Sequence, residues 1–310
     1  VSEDETDGDG LAADPDVVIV GGGPAGCSAG VFLARYGLDA VIFDRGPASL
    51  RRCAYLENYL GFPAGIDIET MYDLMHDHAA TAGCEIVSDT VEAVARSGDG
   101  EFVVRTQDDR TVTTERVVAA ARYDAAFLRA LGSDEMFAVH EHEGERREHF
   151  DRDYPNPDGT TPIDGLYVAS PAGDAEAQAI MSAGRGARVA RTLLADVRRE
   201  RGFPEAIASH WDWRRKEATL TGEWTDRDRW DAWFDEQVDG DDDVAEGRLL
   251  ELREQEIDRR VATYVSEAEI ERRTERGHKR LLEHVDDEYI LEAAREIEGR
   301  AKASGGGSGQ

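Results

Sequence analysis

Lysine is nearly missing from this chain: Lys216, Lys279 and Lys302 are the only three in 310 residues, and arginine carries the rest of the positive charge. Basic residues as a whole are few, 36 against 66 acidic ones, for a formal charge of −30. Such a chain repels polyanions, which argues against nucleic acid or an anionic membrane as a partner. A surface this acidic and lysine-poor reads as halophilic, because in molar salt a Debye length of ~3 Å screens the self-repulsion. Cysteine is equally scarce. Cys27, Cys53 and Cys84 are far apart and form no C-x-x-C, so neither a dithiol pair nor a metal-type Cys/His spacing is found. Sparse cysteine suits a reducing cytoplasm. With no signal peptide and no apolar run of ~18 residues, a cytoplasmic protein without a membrane span is expected.

What is present is enough apolar material for a core, 40% of the residues. Residues 1–15 are acidic and lack large apolar groups, and read as a disordered lead-in. The Gly/Ser-rich end, 301–310, reads as a flexible tail. Between them, 16–20 (DVVIV) and 40–44 (AVIFD) are short, continuously apolar strands flanking a helix at 24–36 that Gly37 ends. A second helix at 67–82 has Asp67 as N-cap and Gly83 as stop. Residues 85–94, 101–106 and 111–114 read as a three-strand meander, 116–121 and 166–170 as further buried strands, and 175–201 as a long helix. Strand–helix–strand order with apolar strands predicts an α/β domain over 16–201, a parallel sheet with helices on its faces plus the meander. Residues 202–300 read as an all-α region without strands, broken once at 239–243 (DGDDD) and reopened by a capping box at Ser266 and Glu269. All five tryptophans fall there, at 211, 213, 224, 230 and 233, and are expected in its core.

The chemistry sits at Gly21-Gly22-Gly23-Pro24-Ala25-Gly26, a G-x-G-x-x-G directly after a strand and opening a helix. The first glycine permits the turn, the second lets a pyrophosphate approach, and the third lets helix and strand pack closely. Asp44, at the end of the next strand, is placed to accept hydrogen bonds from an adenosine ribose, with Arg45 beside it. An acid there disfavours a 2′-phosphate, so the loop indicates a dinucleotide, FAD or NAD, and does not separate the two.

Four ordered segments, GGGPAGCSAGVFLARYGL, ENYLGFPAGIDIETMYDLMHDHAATAGCEI, VVAAA and GLYVASPAGDAEAQAIMSAGRGARVA, together resemble the FAD domain of thioredoxin reductases. The resemblance implies a Rossmann-like FAD-binding domain, with the loop residues at the pyrophosphate and Asp44 at the ribose. It further implies Asn58 near the isoalloxazine, Val91 near the adenine, and Gln178 and Ala179 facing the flavin pyrimidine; where the family has a Gly-Asp at the ribitol this chain has Ser170-Pro171, and Asp174 is expected to substitute. Arg51 or Arg52 would bind cofactor phosphates or an anionic substrate, and NAD(P)H would be a transient electron donor. The departures are as informative. Residues 122–165 replace a whole NADPH domain, and the family's C-x-x-C is missing, so a dithiol thioredoxin reductase is not expected. The insert HEHEGERREHF, 140–150, reads as a solvated hairpin or loop rather than a metal site.

Cys53 follows two arginines at the flavin-proximal end of the resemblance. Without a partner cysteine it reads first as a small buried side chain packing under the cofactor. The competing reading is a redox thiol or covalent link activated by Arg51 and Arg52. The expectation is an FAD-dependent oxidoreductase of unknown substrate with a small-molecule or protein redox partner, associating as a homo-oligomer, a dimer, through its helical region. A flavin- or nucleotide-binding scaffold and a single-domain NAD enzyme are the competing readings.

Overall fold

The computed structural model describes residues 14–46, 49–121, 125–142, 145–172, 178–238 and 245–305. The acidic lead-in through residue 13, Asp174, the break at 239–243 and residues 306–310 of the tail lie outside them.

Strand β1 (Val17–Val20) leads into helix α1 (Pro24–Tyr36) and strand β2 (Ala40–Phe43). Pro24 opens α1, where a missing N–H costs nothing, and Gly37 closes it in the left-handed region at φ 98. Helix α2 (Ile68–Ala82) starts at Asp67, whose carboxylate accepts from the Thr70 N–H, and ends at Gly83. Strands β3 (Glu85–Val87), β4 (Val91–Arg96), β5 (Phe102–Thr106), β6 (Thr111–Thr114) and β7 (Arg116–Ala120) follow. The 85–94 run is therefore two strands, not one. β3 joins the parallel sheet beside β2, and only β4 belongs to the antiparallel meander β4-β5-β6. The break comes at Asp89, whose buried carboxylate accepts from the Thr90 N–H and from Arg110 and so turns the chain.

After β7 come two 3-10 turns and the hairpin β8 (Phe137–His142) and β9 (Glu145–Phe150), paired antiparallel. The insert is thus a hairpin, one of the two expected forms. Strand β10 (Leu166–Ser170) returns beside β7, and helix α3 (Ala179–Glu200) completes the domain. The parallel sheet has the order β10-β7-β1-β2-β3. Its alternate residues face two cores. Val17, Ile19, Ile42 and Val118 pack under α1 and α3, while Val18, Val20, Phe43 and Val117 pack against the meander. Burial on both faces is why these strands read as unbroken apolar runs. α1 and α3 approach closely because Gly186 has no side chain: a Cβ there would lie 2.0 Å from the Ala25 carbonyl oxygen.

The remaining elements are α4 (Glu205–Ala208), β11 (Arg215–Lys216), α5 (Arg227–Gln237), α6 (Glu246–Val261), β12 (Tyr264–Val265), α7 (Glu267–Leu282) and α8 (Asp287–Gly305). The expectation of no strands here is corrected by β11 and β12, a two-residue parallel pair. Ser266 accepts from the Glu269 N–H as a capping serine does, while the Glu269 carboxylate pairs with Arg272 and Arg273. The tryptophans do not form one core: Trp230 is buried, but Trp211 and Trp213 are exposed. Trp211 instead carries the Arg191 guanidinium over its ring at 5.3 Å. The chain divides into two compact units, residues 1–212 with 231–256, and 213–230 with 257–310. Within the first, Phe203, Ile207, Phe234 and Leu252 form a small core of their own, and Arg198 and Glu256 pair beside it, both fully buried.

Candidate functional site

The carboxyl ends of β1, β2, β7 and β10 open into one cavity of about 470 Å³. It lies where the chain, having run from β1 to β2 on one side, crosses to β7 on the other. Parallel sheets hold ligands at such a reversal. Its wall includes Gly21, Gly22, Gly23, Pro24 and Ala25, with Asp44 and Arg45 from the end of β2 and Asp89 through Glu92 at the start of β4. Gln178 and Ala179 at the start of α3 close another side, with Leu50, Cys53, Leu56 and Tyr72.

The loop conformation follows from its glycines. Gly21 adopts φ 119, and a Cβ there would lie 2.7 Å from the Ala120 carbonyl oxygen. Gly26 does not line the cavity but lies under it: its Cβ would fall 1.8 Å from the Gly21 carbonyl oxygen. A Cβ on Gly22 would meet the Asp44 side chain at 2.6 Å. At Gly23 a Cβ would meet no atom of the described residues within 4 Å. Three of these glycines are thus required by the protein's own packing, and the fourth is not. Gly23 is the N-cap of α1 and supplies no side-chain cap, so the first-turn N–H groups point outward with the positive end of the helix dipole.

Asp44 is only 6% exposed. Its Oδ1 accepts from the Gly46 N–H, and its Oδ2 lies 3.5 Å from His76 Nε2. The same His76 nitrogen is 2.9 Å from the Gly22 carbonyl oxygen, which also accepts from the Cys27 thiol at 3.2 Å. Burial, reinforced by Asp44 and Cys84, pushes the Cys27 thiol up to about 12, and burial does the same to Cys84, so both stay protonated structural groups as expected.

Tyr72 is 2% exposed and its hydroxyl has no hydrogen-bond partner among the described residues. Burial, then the nearby Asp44 carboxylate, raises its pKa, which keeps the hydroxyl a donor. Arg51, expected at the cofactor, is exposed and lies with its guanidinium 4.8 Å over the Tyr72 ring, outside the cavity lining. Asn58 does not line the cavity either. Its Nδ2 donates to Gln178 Oε1 at 2.8 Å and so orients a residue that does.

Against the expectation of a buried side chain, Cys53 is exposed, with a free thiol on the cavity wall. The 3-10 turn Ser49–Arg52 puts Leu50 into the apolar cluster with Leu56 and Met71, and Cys53, three residues on, is turned outward.

Asp89 is the buried acid that sequence reading missed. Burial alone would raise its pKa. Hydrogen bonds from Thr106, Arg110 and the Thr90 and Asp108 N–H groups outweigh burial and hold it below the ordinary carboxylate value. Tyr72 and His76 were also missed. Their spacing, one turn apart on α2, was visible, and their rings meet edge to face at 5.7 Å. Among the described residues, no cluster of His, Cys, Asp and Glu is suited to a metal ion, and no helix is long and apolar enough to cross a membrane.

Residues 15–142 match the sequence profile of a family described as pyridine nucleotide-disulphide oxidoreductase. The chain is 30% identical over 123 residues to a bifunctional thioredoxin reductase/thioredoxin of Mycobacterium leprae, covering 39% of this chain and 27% of that protein. It is 32% identical over 120 residues to a thioredoxin reductase of Streptomyces coelicolor, covering 38% and 36%. The matched region thus spans only 27% and 36% of these two relatives. A solved thioredoxin reductase from Gloeobacter violaceus aligns with TM-score 0.49 at 16% identity, over 65% of this chain and 98% of that one.

Proposed function

We propose that this chain is an FAD-dependent oxidoreductase whose dinucleotide lies in the cavity at the β1–α1 loop, a reading supported by the match of residues 15–142 to the pyridine nucleotide-disulphide oxidoreductase family. Thioredoxin reductases of this family bind FAD and use NADPH. The observation that carries the reading is Gly23, the one glycine of the loop whose missing side chain no atom of the described residues requires. A phosphate drawn to the uncapped α1 N-terminus is a reason for glycine there. The Tyr72 hydroxyl fits as well, since a buried donor without a partner is stabilised by an acceptor that arrives with a ligand.

In this reading Gly21, Gly22, Gly23, Pro24, Ala25 and Gly26 form the pyrophosphate cradle, Asp44 accepts from the adenosine ribose, and Val91 flanks the adenine. Gln178, held by Asn58, and Ala179 present the N-terminus of α3 to the redox-active end. There the helix dipole favours negative charge. The bound flavin supplies the electron transfer. Cys53 is the thiol on the cavity wall, and it has no dithiol partner in the sequence, so we read the activity as distinct from dithiol thioredoxin reduction. NAD(P)H or a redox partner supplies electrons, in the cytoplasm.

Anaerobic mixing of the FAD-loaded chain with NADH and with NADPH tests the reading. Bleaching of the flavin bands by either donor is expected. A loaded protein that no donor or thiol reduces would instead support a flavin-binding scaffold. Reduction and reoxidation unchanged in Cys53→Ser would remove the thiol from the mechanism.

A further inference from the structure

His76 reaches two parts of the nucleotide cavity without lining it. It stands on α2, one turn after Tyr72, whose ring meets the imidazole edge to face. Its Nε2 lies 2.9 Å from the Gly22 carbonyl oxygen and 3.5 Å from Asp44 Oδ2. A carbonyl oxygen only accepts, so Nε2 carries the hydrogen and His76 is the donor.

The two groups it reaches are those a dinucleotide would touch. They are packed against each other, since a Cβ on Gly22 would lie 2.6 Å from the Asp44 Cβ. In a trans peptide the C=O and the N–H point opposite ways, so the direction of the Gly22 carbonyl fixes that of the Gly23 N–H. His76 and the Cys27 thiol hold the carbonyl from outside the cavity lining. The Gly23 N–H is thereby turned the other way, to the side where Gly22 and Gly23 do line the cavity. That N–H has no acceptor among the described residues. Asp44 is held at both oxygens: Oδ1 accepts from the Gly46 N–H, and Oδ2 faces His76. The Cys27 and Gly46 contacts are local to their own turns. His76 comes from another helix and joins the loop to the end of β2.

We propose that His76 is a positioning residue for cofactor binding. Its Nε2–H sets the Gly22–Gly23 peptide and the Asp44 carboxylate in the directions that receive a pyrophosphate and a ribose. Groups set before the ligand arrives need no ordering when it binds, so loss of this donor is felt as lost affinity. The proposal rests on the dinucleotide reading of the cavity and not on the flavin half of the ligand.

ADP-ribose is therefore the probe, because it carries the adenosine ribose and the pyrophosphate with neither flavin nor nicotinamide. Calorimetric titration of the full chain in molar KCl gives its affinity. His76→Leu is expected to weaken ADP-ribose by about fivefold or more, the worth of one hydrogen bond. His76→Gln, whose amide N–H can take the place of Nε2–H, is expected to stay within about twofold of the unaltered chain. Leucine and glutamine fill similar space, so a role in packing alone would treat the two alike. A double-mutant cycle then shows what His76 acts through. His76→Leu and Asp44→Asn together are expected to cost less than the product of their single effects, because each disturbs the same carboxylate. Equal affinity in the unaltered chain and His76→Leu, a glutamine variant no better than the leucine one, or strictly multiplicative effects would each overturn the proposal. FAD uptake is measured in parallel. A chain that binds FAD and ADP-ribose yet ignores His76→Leu loses this proposal and keeps the flavin. A chain that takes up no FAD but binds ADP-ribose through His76 keeps this proposal and loses the flavin. An unaltered chain that does not bind ADP-ribose overturns the role of His76.

Discussion

Gly23 and Gly26 belong to one loop, yet a Cβ on Gly26 would lie 1.8 Å from the Gly21 carbonyl oxygen while a Cβ on Gly23 would meet no atom of the described residues within 4 Å. Gly26 is fixed by folding and Gly23 is not. Gly26→Ala is expected to lower stability by ~1–3 kcal/mol or more, since the clash is with backbone that cannot rotate away. Gly23, at φ −82, accepts alanine without strain. Gly23→Ala is therefore expected to keep the melting temperature of the cofactor-free chain and to weaken FAD binding at least tenfold. Thermal melts of the apo variants with FAD titrations separate the two; equal FAD affinity in Gly23→Ala would remove the argument from that glycine.

Tyr72→Phe is expected to act with opposite signs on stability and binding. It deletes a buried hydroxyl with no partner among the described residues, so the apo chain should melt no lower than the unaltered one. A hydrogen bond to the ligand is lost, a loss of about 1 kcal/mol or roughly fivefold in FAD affinity. A lower apo melting temperature would show that the hydroxyl has a partner in the protein.

The three thiols should differ in reactivity. Cys27 and Cys84 are buried with pKa values pushed up to about 12, and Cys53 is exposed. Iodoacetamide at pH 8 on the native chain should label Cys53 alone, and in denaturant all three. Bound FAD should slow the native labelling, because Cys53 lines the cavity. Labelling of Cys27 in the native chain would contradict the packing described here.

Asp89 gives the site an acid-sensitive corner. Its folded pKa is held below the ordinary 3.8 by its hydrogen bonds, despite burial. A depressed carboxylate contributes fully above its unfolded pKa, and that contribution is lost as pH falls through the folded value. Asp89→Asn is therefore expected to lower stability at neutral pH by ~1–3 kcal/mol and to flatten the decline below pH ~4. Parallel acid-unfolding curves for the two chains would contradict this role.

The sheet was legible because its strands are buried on both faces and so read as apolar runs. β1, β2, β7 and β10 lie where their residues predict, to within a residue at either end. The Asp67 and Gly83 caps were equally plain, since each is a local interaction. Asp89 was hidden because it looks like any acid in a loop, and only the distant Arg110 and Thr106 make it a buried anchor. Cys53 was misjudged because its exposure depends on Leu50 taking the apolar position in the same turn. Tyr72 gave no signal in the sequence, because the lack of a partner for its hydroxyl among the described residues is a property of three-dimensional packing alone.

The central claim, a flavin in the β1–α1 cavity, is tested most directly by the absorption spectrum of the chain purified in molar KCl, before and after denaturation. The account predicts flavin bands that leave with the supernatant as intact FAD, with one FAD per chain. Bands that remain on the denatured chain would mean a covalent link and would direct attention to Cys53. A colourless chain that takes up no added FAD would contradict the account.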